Sequence, residues 1–372
     1  MARNKPRLRR DLDPAVSTLD GREVVLLRDP LGLSSQVIAL GRGVLPLLGL
    51  LDGTRDMPSL RLEAVKQSSG SLQAAEDIER LVEVLGERFL LEDDRYGQER
   101  ARIEDSWRAA EVRPCTLAGR GFPADPGDMA RSIGEVLDHA PEPCVPVPEG
   151  RLVALAVPHV DIRKGWPLYA AAYSLLERTG TDARRIVVIG TGHSLSGPAP
   201  CPTRKHHETP LGVARTDVPF VDDLVGAAAC GTDDMAHRLE HSIETQIVFL
   251  QHVLGGDMPP VVPILCGPPG EHLGSASRPR ELPCSGQVAD LLGGAMRDSP
   301  GALAIASVDL CHVGPRFGDE KRSSELLPAA IEHESALMEA AVRADPVAFW
   351  AEARRVGDAF HVCGLTALGI LL

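Results

Sequence analysis

The second half of the chain alternates short apolar runs with longer segments in which apolar residues recur every three or four positions. The short runs predict strands, at Arg151–Val157, Arg185–Ile189, Val261–Leu265 and Leu303–Ser307. The longer segments predict helices, at Asp128–Leu137, Trp166–Arg178, Val218–Ala229, Ile243–Leu254, Gly286–Asp298 and Ser323–Arg343. Strands that alternate with helices predict an α/β domain with a mostly parallel sheet flanked by helices.

The first 95 residues follow a different order. The predicted elements there are a strand at Glu23–Leu27, a helix within Ser34–Leu51, a helix at Ala74–Leu85 and a closing strand at Phe89–Leu91. This order predicts a small winged-helix-like domain over residues 1–95. The highly charged segment 96–112 predicts a helical linker, so residues 113–372 form the second domain.

Composition narrows the class of protein. A chain of 372 residues favours two domains, and 44% apolar with 24% charged residues is an ordinary globular composition. The net charge of -13 excludes wholesale binding to nucleic acid or to an anionic membrane. The basic start Met1–Arg10 lacks a following apolar region, so we predict no signal peptide, and no apolar stretch reaches membrane-spanning length. Eight cysteines without a C-x-x-C pair predict reduced thiols in a cytoplasmic protein.

Histidines and carboxylates follow three of the predicted strands at the point where each ends. His159 and Asp161 follow the first strand, His193 the second, and Asp309 with His312 the last. A single histidine at a strand end is usually structural. Because the carboxyl ends of parallel strands meet at one edge of a sheet, we expect these side chains to converge on one pocket.

Imidazole is the commonest protein metal ligand and also the natural acid–base group at neutral pH. Two histidines with one carboxylate or thiolate leave positions open on a metal, an arrangement that activates water or O₂. Asp161 and Asp309 are candidates either for ligands or for acceptors that orient an imidazole.

Two further segments carry candidate residues. His241 and Glu244 stand at the start of a predicted helix, where acidic residues are also favoured by the helix dipole, and they are candidates for the pocket mouth. Cys363 follows a short apolar segment, and a buried inert thiol is one interpretation. The other is a nucleophile with His312 as base and Asp309 as orienting group. His206, His207 and His252 are predicted to be surface residues.

Residues 113–372 resemble the Memo family, in particular protein B of the AmmeMemoRadiSam system. The resemblance is carried in order by VRPCTLAGRGFPADPGDM, PHVDIRKGWPLYAAAY, IGTGHS, TPLGVARTD, AHRLEHSIETQIVFLQ, VPIL, SVDLCHVG and VCGLTALGILL. Residues 1–95 resemble the PqqD-like peptide-recognition domains, through DGREVVLLRDPLG, LLGLLDGTRDM and IERLVEVLGERFLLE. A packing or dimerisation role for this region is the alternative.

The Memo resemblance implies the fold of the class III extradiol dioxygenases and assigns roles to the pocket. By resemblance, His159 and His193 are metal ligands and Cys363 takes the place of the third ligand, a glutamate in the dioxygenases. His312 matches their acid–base histidine, and Asp309 its neighbouring carboxylate. The family's PHAGY segment is PHVDI here, which brings Asp161 close to the site. A thiolate ligand favours a soft or redox metal, and we expect iron or copper.

Three functions therefore stand open. The first is a metal-dependent oxidoreductase related to the extradiol dioxygenases. The second is a non-catalytic ligand- or peptide-binding protein, an accessory to a radical-SAM enzyme and the other AmmeMemoRadiSam proteins. The third is a hydrolase or transferase with Cys363 as nucleophile.

Overall fold

The structure is a computed structural model that describes residues 5–34, 37–67, 73–143, 147, 150–228, 230, 234–298 and 300–372. The chain divides into two compact units, Met1–Ala109 and Ala110–Leu372. Each unit has a hydrophobic core of its own.

The N-terminal unit begins with a three-stranded antiparallel sheet and continues as helices. The strands are β1 (Asp13–Leu19), β2 (Arg22–Arg28) and β3 (Ile38–Gly41), in that order across the sheet. Asp20 and Gly21 both have positive φ, which is the backbone that a two-residue hairpin turn requires. The helices are α1 (Leu45–Gly49), α2 (Met57–Gln67), α3 (Gln73–Glu87) and α4 (Asp94–Ala109). The core lies between β2, α2 and α3, where Leu60, Ile78 and Leu85 are fully buried.

Two predicted elements of this unit differ from the structure. The helical pattern predicted over Ser34–Leu51 is confirmed at Leu45–Gly49 but is wrong for its first part, because Ile38 and Leu40 pair with Leu27 and Val25 of β2. Ser35 and Gln36 of that segment lie outside the described residues. The closing strand predicted at Phe89–Leu91 is reduced to one isolated bridge between Leu91 and Leu8. Helix α3 confirms the amphipathic helix at Ala74–Leu85.

The C-terminal unit is a mixed α/β structure with sheets flanked by helices, as predicted. Its strands are β4 (Val112–Arg113), β5 (Ala154–Val157), β6 (Arg185–Thr191), β7 (Cys201–Pro202), β8 (His206–Thr209), β9 (Gly212–Ala214), β10 (Val261–Cys266) and β11 (Ala302–Ser307). Its helices are α5 (Pro126–Asp138), α6 (Ile162–Thr179), α7 (Val218–Ala228), α8 (Ser242–Leu254), α9 (His272–Ser275), α10 (Ser285–Arg297), α11 (Ser323–Val342), α12 (Pro346–Val356) and α13 (Leu365–Leu371). Ala229, predicted as the end of α7, lies outside the described residues.

The main sheet has the strand order β5-β11-β6-β10-β7. The first four strands run parallel, and β7 pairs antiparallel with β10. Side chains of β6 alternate between two cores, with Val187 and Ile189 on one face and Ile186 and Val188 on the other. A strand buried on both faces reads as a continuous apolar run, which is why this one was predictable.

The strands β4, β8 and β9 form a separate three-stranded sheet that the apolar pattern did not predict. They are two to four residues long, so they carry too little periodicity to be recognised. Within the described residues, no helix combines the length and the apolar character that a membrane span needs.

Candidate metal centre

The candidate site lies where the adjacent parallel strands β5, β11 and β6 end. His159 follows β5, His193 follows β6, and Cys363 precedes α13, a helix that packs on β11 and β6. The Cys363 Sγ lies 3.7 Å from His159 Nε2. One ligand atom from each of the three residues lies within 4.8 Å of the other two. Ligands of one metal ion are expected about 3–4.5 Å apart, so the three are placed for a shared ion.

His159 is held in place by hydrogen bonds on the side away from Cys363. Its Nδ1 donates to the Ser307 carbonyl at 3.1 Å, so Nε2 is the nitrogen left to face the sulfur. Asp309 Oδ1 accepts the backbone N–H groups of His159 and Val160, at 2.9 and 3.2 Å. The other oxygen of Asp309 lies 3.6 Å from His159 Nε2. Asp309 therefore ties the end of β11 to the residues after β5.

His193 is held in the same way by Glu240, a buried residue on the turn before α8. Its Nδ1 lies 3.0 Å from Glu240 Oε2, and its backbone N–H donates to the same oxygen at 2.9 Å. The rings of His159 and His193 stand almost perpendicular, with centroids 5.2 Å apart. Each imidazole thus has Nδ1 bound to a protein acceptor, and Nε2 of His159 is directed at Cys363.

Cys363 reaches the two histidines because the residue after it is glycine. A Cβ at Gly364 would lie 2.5 Å from Val308 Cβ, so a larger residue would push the backbone away from β11. The Gly364 N–H donates to the Asp309 carbonyl at 3.1 Å. This close backbone approach places the sulfur at the end of the sheet.

His159, His193 and Cys363 shift one another's pKa values toward the charged forms. Burial opposes ionisation of Cys363, but contacts with His159 and His193 lower the pKa of its thiol to about 6. Burial alone would lower the pKa of His193, but Cys363 and Glu240 raise it to about 10. The pKa of His159 is also raised, since Cys363 and Asp309 outweigh its burial. The shifts therefore favour a thiolate at Cys363 paired with positive charge on the two histidines.

The remaining predicted residues divide between the pocket and its surroundings. His312 is near enough for its charge to help lower the pKa of Cys363. Its Nδ1 bonds the Leu310 carbonyl at 2.9 Å, and its ring packs against Phe317 at a centroid distance of 4.9 Å. Asp161 caps the N-terminus of α6 by accepting the Arg163 N–H, and it also binds the Arg163 guanidinium.

His241 and Glu244, predicted together at the pocket mouth, are in different environments. The His241 ring stacks on His193 with centroids 5.3 Å apart, and it lies 5.5 Å from the His159 ring. Glu244 is fully buried and binds the Arg113 guanidinium. It also accepts the backbone N–H groups of Thr116 and Leu117. Its contacts are with the segment 113–117 and not with an imidazole.

One prediction of exposure was wrong, and one important residue was missed. His207 is 1% exposed, because β8 turns its side chain inward near His237. Glu240 was not among the predicted site residues. The signal that could have found it is its position next to His241 in a turn ahead of a buried helix, but its bond to His193 spans 47 positions.

The donor set suits a transition metal. Two imidazole nitrogens and a thiolate supply three protein ligands and leave a position open for a further group. Both imidazoles are oriented through their other nitrogen, by a carbonyl and by a carboxylate, as metal-binding histidines usually are. The residues present therefore fit a bound metal ion.

The fold and the pocket define a mixed α/β protein with a candidate His/His/Cys metal group. A family model described as Memo-like protein matches residues 113–372. The chain belongs to the Memo family.

Individual relatives agree with this assignment. A MEMO1 family protein of Aquifex aeolicus is 28% identical over 296 residues, which cover 79% of this chain and 73% of the relative. One from Thermus thermophilus is 29% identical over 292 residues, covering 77% and 80%. One from Ignicoccus hospitalis is 34% identical over 161 residues, covering 41% and 56%.

Proposed function

We propose that this protein binds iron or copper through His159, His193 and Cys363 and uses the metal in an oxidation. The observation that carries the proposal is the convergence of three ligand atoms within 4.8 Å of one another. Their side chains come from three separate segments of the chain. A bound iron or copper ion would supply redox chemistry, or O₂ activation of the kind found in extradiol dioxygenases.

The protein residues contribute ligand charge and proton handling. Cys363 enters as a thiolate at neutral pH, so little free energy is spent on deprotonating the third ligand. His312 donates through Nδ1 to Leu310, which leaves Nε2 to accept or deliver a proton beside the ligands. Asp309 holds the backbone of His159 and positions that ligand.

A second candidate function is nucleophilic catalysis by Cys363, and its low thiol pKa favours it. In that mechanism Asp309 would orient His312 as the base. However, His312 Nδ1 is bonded to the Leu310 carbonyl, and the Asp309 carboxylate faces His159. The two histidines beside the sulfur are better explained as co-ligands, so we favour the metal.

The wider assignment is also a proposal. We place residues 113–372 with protein B of the AmmeMemoRadiSam system, in a cytoplasmic assembly with a radical-SAM enzyme, and residues 1–95 with the PqqD-like domains. The exposed strand β1 supports a peptide-binding role, because an edge strand can pair with an extended peptide. A non-catalytic accessory protein is the alternative to the oxidoreductase.

Metal analysis of protein purified without oxygen tests the proposal. We expect near-stoichiometric iron or copper in the native protein, and its loss in His159→Ala, His193→Ala and Cys363→Ala. His333→Ala is the matched control, because His333 is a buried histidine bonded to Glu352 away from the pocket. Metal content unchanged in the three ligand variants would refute the assignment. Metal-free native protein that alkylates at Cys363 only when His312 is present would support the nucleophile instead.

A further inference from the structure

The carboxylate of Glu240 contacts two imidazoles at once. Its Oε2 lies 3.0 Å from His193 Nδ1, and its Oε1 lies 3.2 Å from His241 Nδ1. The residue is 7% exposed. Both of its oxygens accept backbone N–H groups, so each imidazole nitrogen at hydrogen-bond distance from them is placed to donate, with its proton on Nδ1.

Both oxygens of Glu240 are further fixed by the backbone. Oε2 accepts the His193 N–H at 2.9 Å, while Oε1 accepts the N–H groups of His241 and Ser242 at 2.8 and 3.1 Å. Each oxygen therefore already faces at least one donor that cannot turn away. An amide group at this position would set its NH₂ against a backbone N–H in either orientation.

The turn that carries Glu240 is itself anchored. Arg113 donates to the backbone carbonyls of His237 and Glu240 while its guanidinium is bound to Glu244. Arg113 and Glu244 are both almost completely buried. Movement of the Glu240 backbone would break this anchor, so the position from which its side chain reaches the two imidazoles is fixed.

We propose that Glu240 is the positioning residue of the pocket, locking His193 and His241 together with Nδ1 protonated and Nε2 free. It thereby presents His193 Nε2 to the metal and makes His241, stacked on His193, a wall of the same pocket. The His241 side chain is 39% exposed, so this wall is partly open to solvent. The inference rests on the proposed metal function and adds the residue that aligns the ligand.

The test compares Glu240→Gln with Glu352→Gln. Glu352 accepts from Nδ1 of the buried His333 at 2.7 Å, so the control makes the same change beside a second buried imidazole. Cobalt(II) is the probe, because its absorption reports thiolate and imidazole ligands. We expect Glu240→Gln to weaken cobalt binding by about 10–100-fold, Glu240→Asp to retain part of the affinity, and Glu352→Gln to leave it unchanged.

Nitrogen-15 NMR of the metal-free protein gives a second, metal-independent readout. The native protein should show hydrogen-bonded Nδ1–H protons for both His193 and His241, and Glu240→Gln should lose at least one of them, because one amide oxygen replaces two acceptor oxygens. Native cobalt affinity together with both proton signals in Glu240→Gln would overturn the inference, as would equal losses of cobalt affinity in the two variants. Binding of two cobalt ions, one lost in Glu240→Gln, would make Glu240 a ligand and also overturn it. If the native protein binds no metal, the function fails while the NMR result still decides the role of Glu240.

Discussion

Two buried polar clusters lie within a few residues of each other at the start of α8, and they are built oppositely. In the anchor formed by Arg113 and Glu244, the carboxylate is surrounded by a guanidinium, two backbone N–H groups and the Cys115 thiol. In the metal pocket, His159, His193 and Cys363 each place one ligand atom close to those of the other two. The anchor has its polar groups satisfied internally, whereas the pocket keeps three ligand atoms for an outside partner.

The pKa values of Cys115 and Cys363, one in each cluster, reflect this difference. Burial and the nearby Glu244 raise the pKa of Cys115 to about 12, whereas the imidazoles lower the pKa of Cys363 to about 6. The same side chain is thus a neutral donor in one cluster and an anion in the other. Burial alone does not distinguish a structural cluster from a functional one. The charge of the neighbouring groups, and whether their hydrogen bonds are already satisfied within the protein, do.

The largest expected effect comes from breaking the anchor. Glu244→Gln should destabilise the protein by about 3–5 kcal/mol, because it leaves the buried Arg113 charge without its counter-ion. The free energy of unfolding, measured by urea denaturation, checks this. A loss below about 1 kcal/mol would mean that water or a neighbour replaces the carboxylate.

The second effect is the pH dependence of Cys363 in the metal-free protein. Because its folded pKa of about 6 lies below that of an ordinary thiol, the thiolate forms as pH rises through 6. Alkylation by iodoacetamide should therefore increase roughly tenfold from pH 5 to pH 8 and then level off. Mass spectrometry separates the two cysteines, and Cys115 should stay unreacted across that range. A midpoint near that of a free thiol would contradict the coupling to the imidazoles.

A smaller effect is expected at Asp161. Asp161→Ala should cost about 1 kcal/mol of stability, because it removes the side-chain cap of α6. Metal content should not change if Asp161 only caps the helix. A drop in metal affinity without a drop in the unfolding midpoint would show that Asp161 contributes to the metal site.

The smallest effect is expected at an exposed ion pair of the same chemistry as the anchor. Glu99 and Arg102 pair on the surface of α4 at 2.6 Å. Glu99→Gln should leave the thermal unfolding midpoint unchanged, because solvent screens and replaces an exposed pair. A shift as large as that of Glu244→Gln would show that burial does not set the difference.

The sequence predicted the sheet and the strand-end residues because each signal is local. Strands β5, β6, β10 and β11 are apolar runs, and His159 and His193 directly follow two of them. The first part of Ser34–Leu51 was predicted wrongly because its apolar spacing suits a helix or a strand. Only the pairing of Leu40 with Val25 decides for the strand, and that contact is not local.

Contacts between residues far apart in the sequence could not be predicted either. Glu240 meets His193 across 47 positions, and Glu244 meets Arg113 across 131. No residue near Glu244 in the sequence indicates that its partner is positively charged. The roles of Glu240 and Glu244 could therefore not be distinguished from the sequence. Cys363 entered the pocket through the family resemblance, since an isolated cysteine carries no local pattern that distinguishes a ligand from an inert thiol.

The short distance between Cys363 and His159 has a thermodynamic consequence. The two residues are 204 positions apart, so a metal ion held by both would act as a cross-link that closes a very long loop. Closing such a loop in the unfolded chain costs conformational entropy that the folded chain has already lost. The ion should therefore bind the folded protein in preference to the unfolded one and raise its melting temperature. Loss of the ion would then loosen the whole C-terminal unit and not the pocket alone.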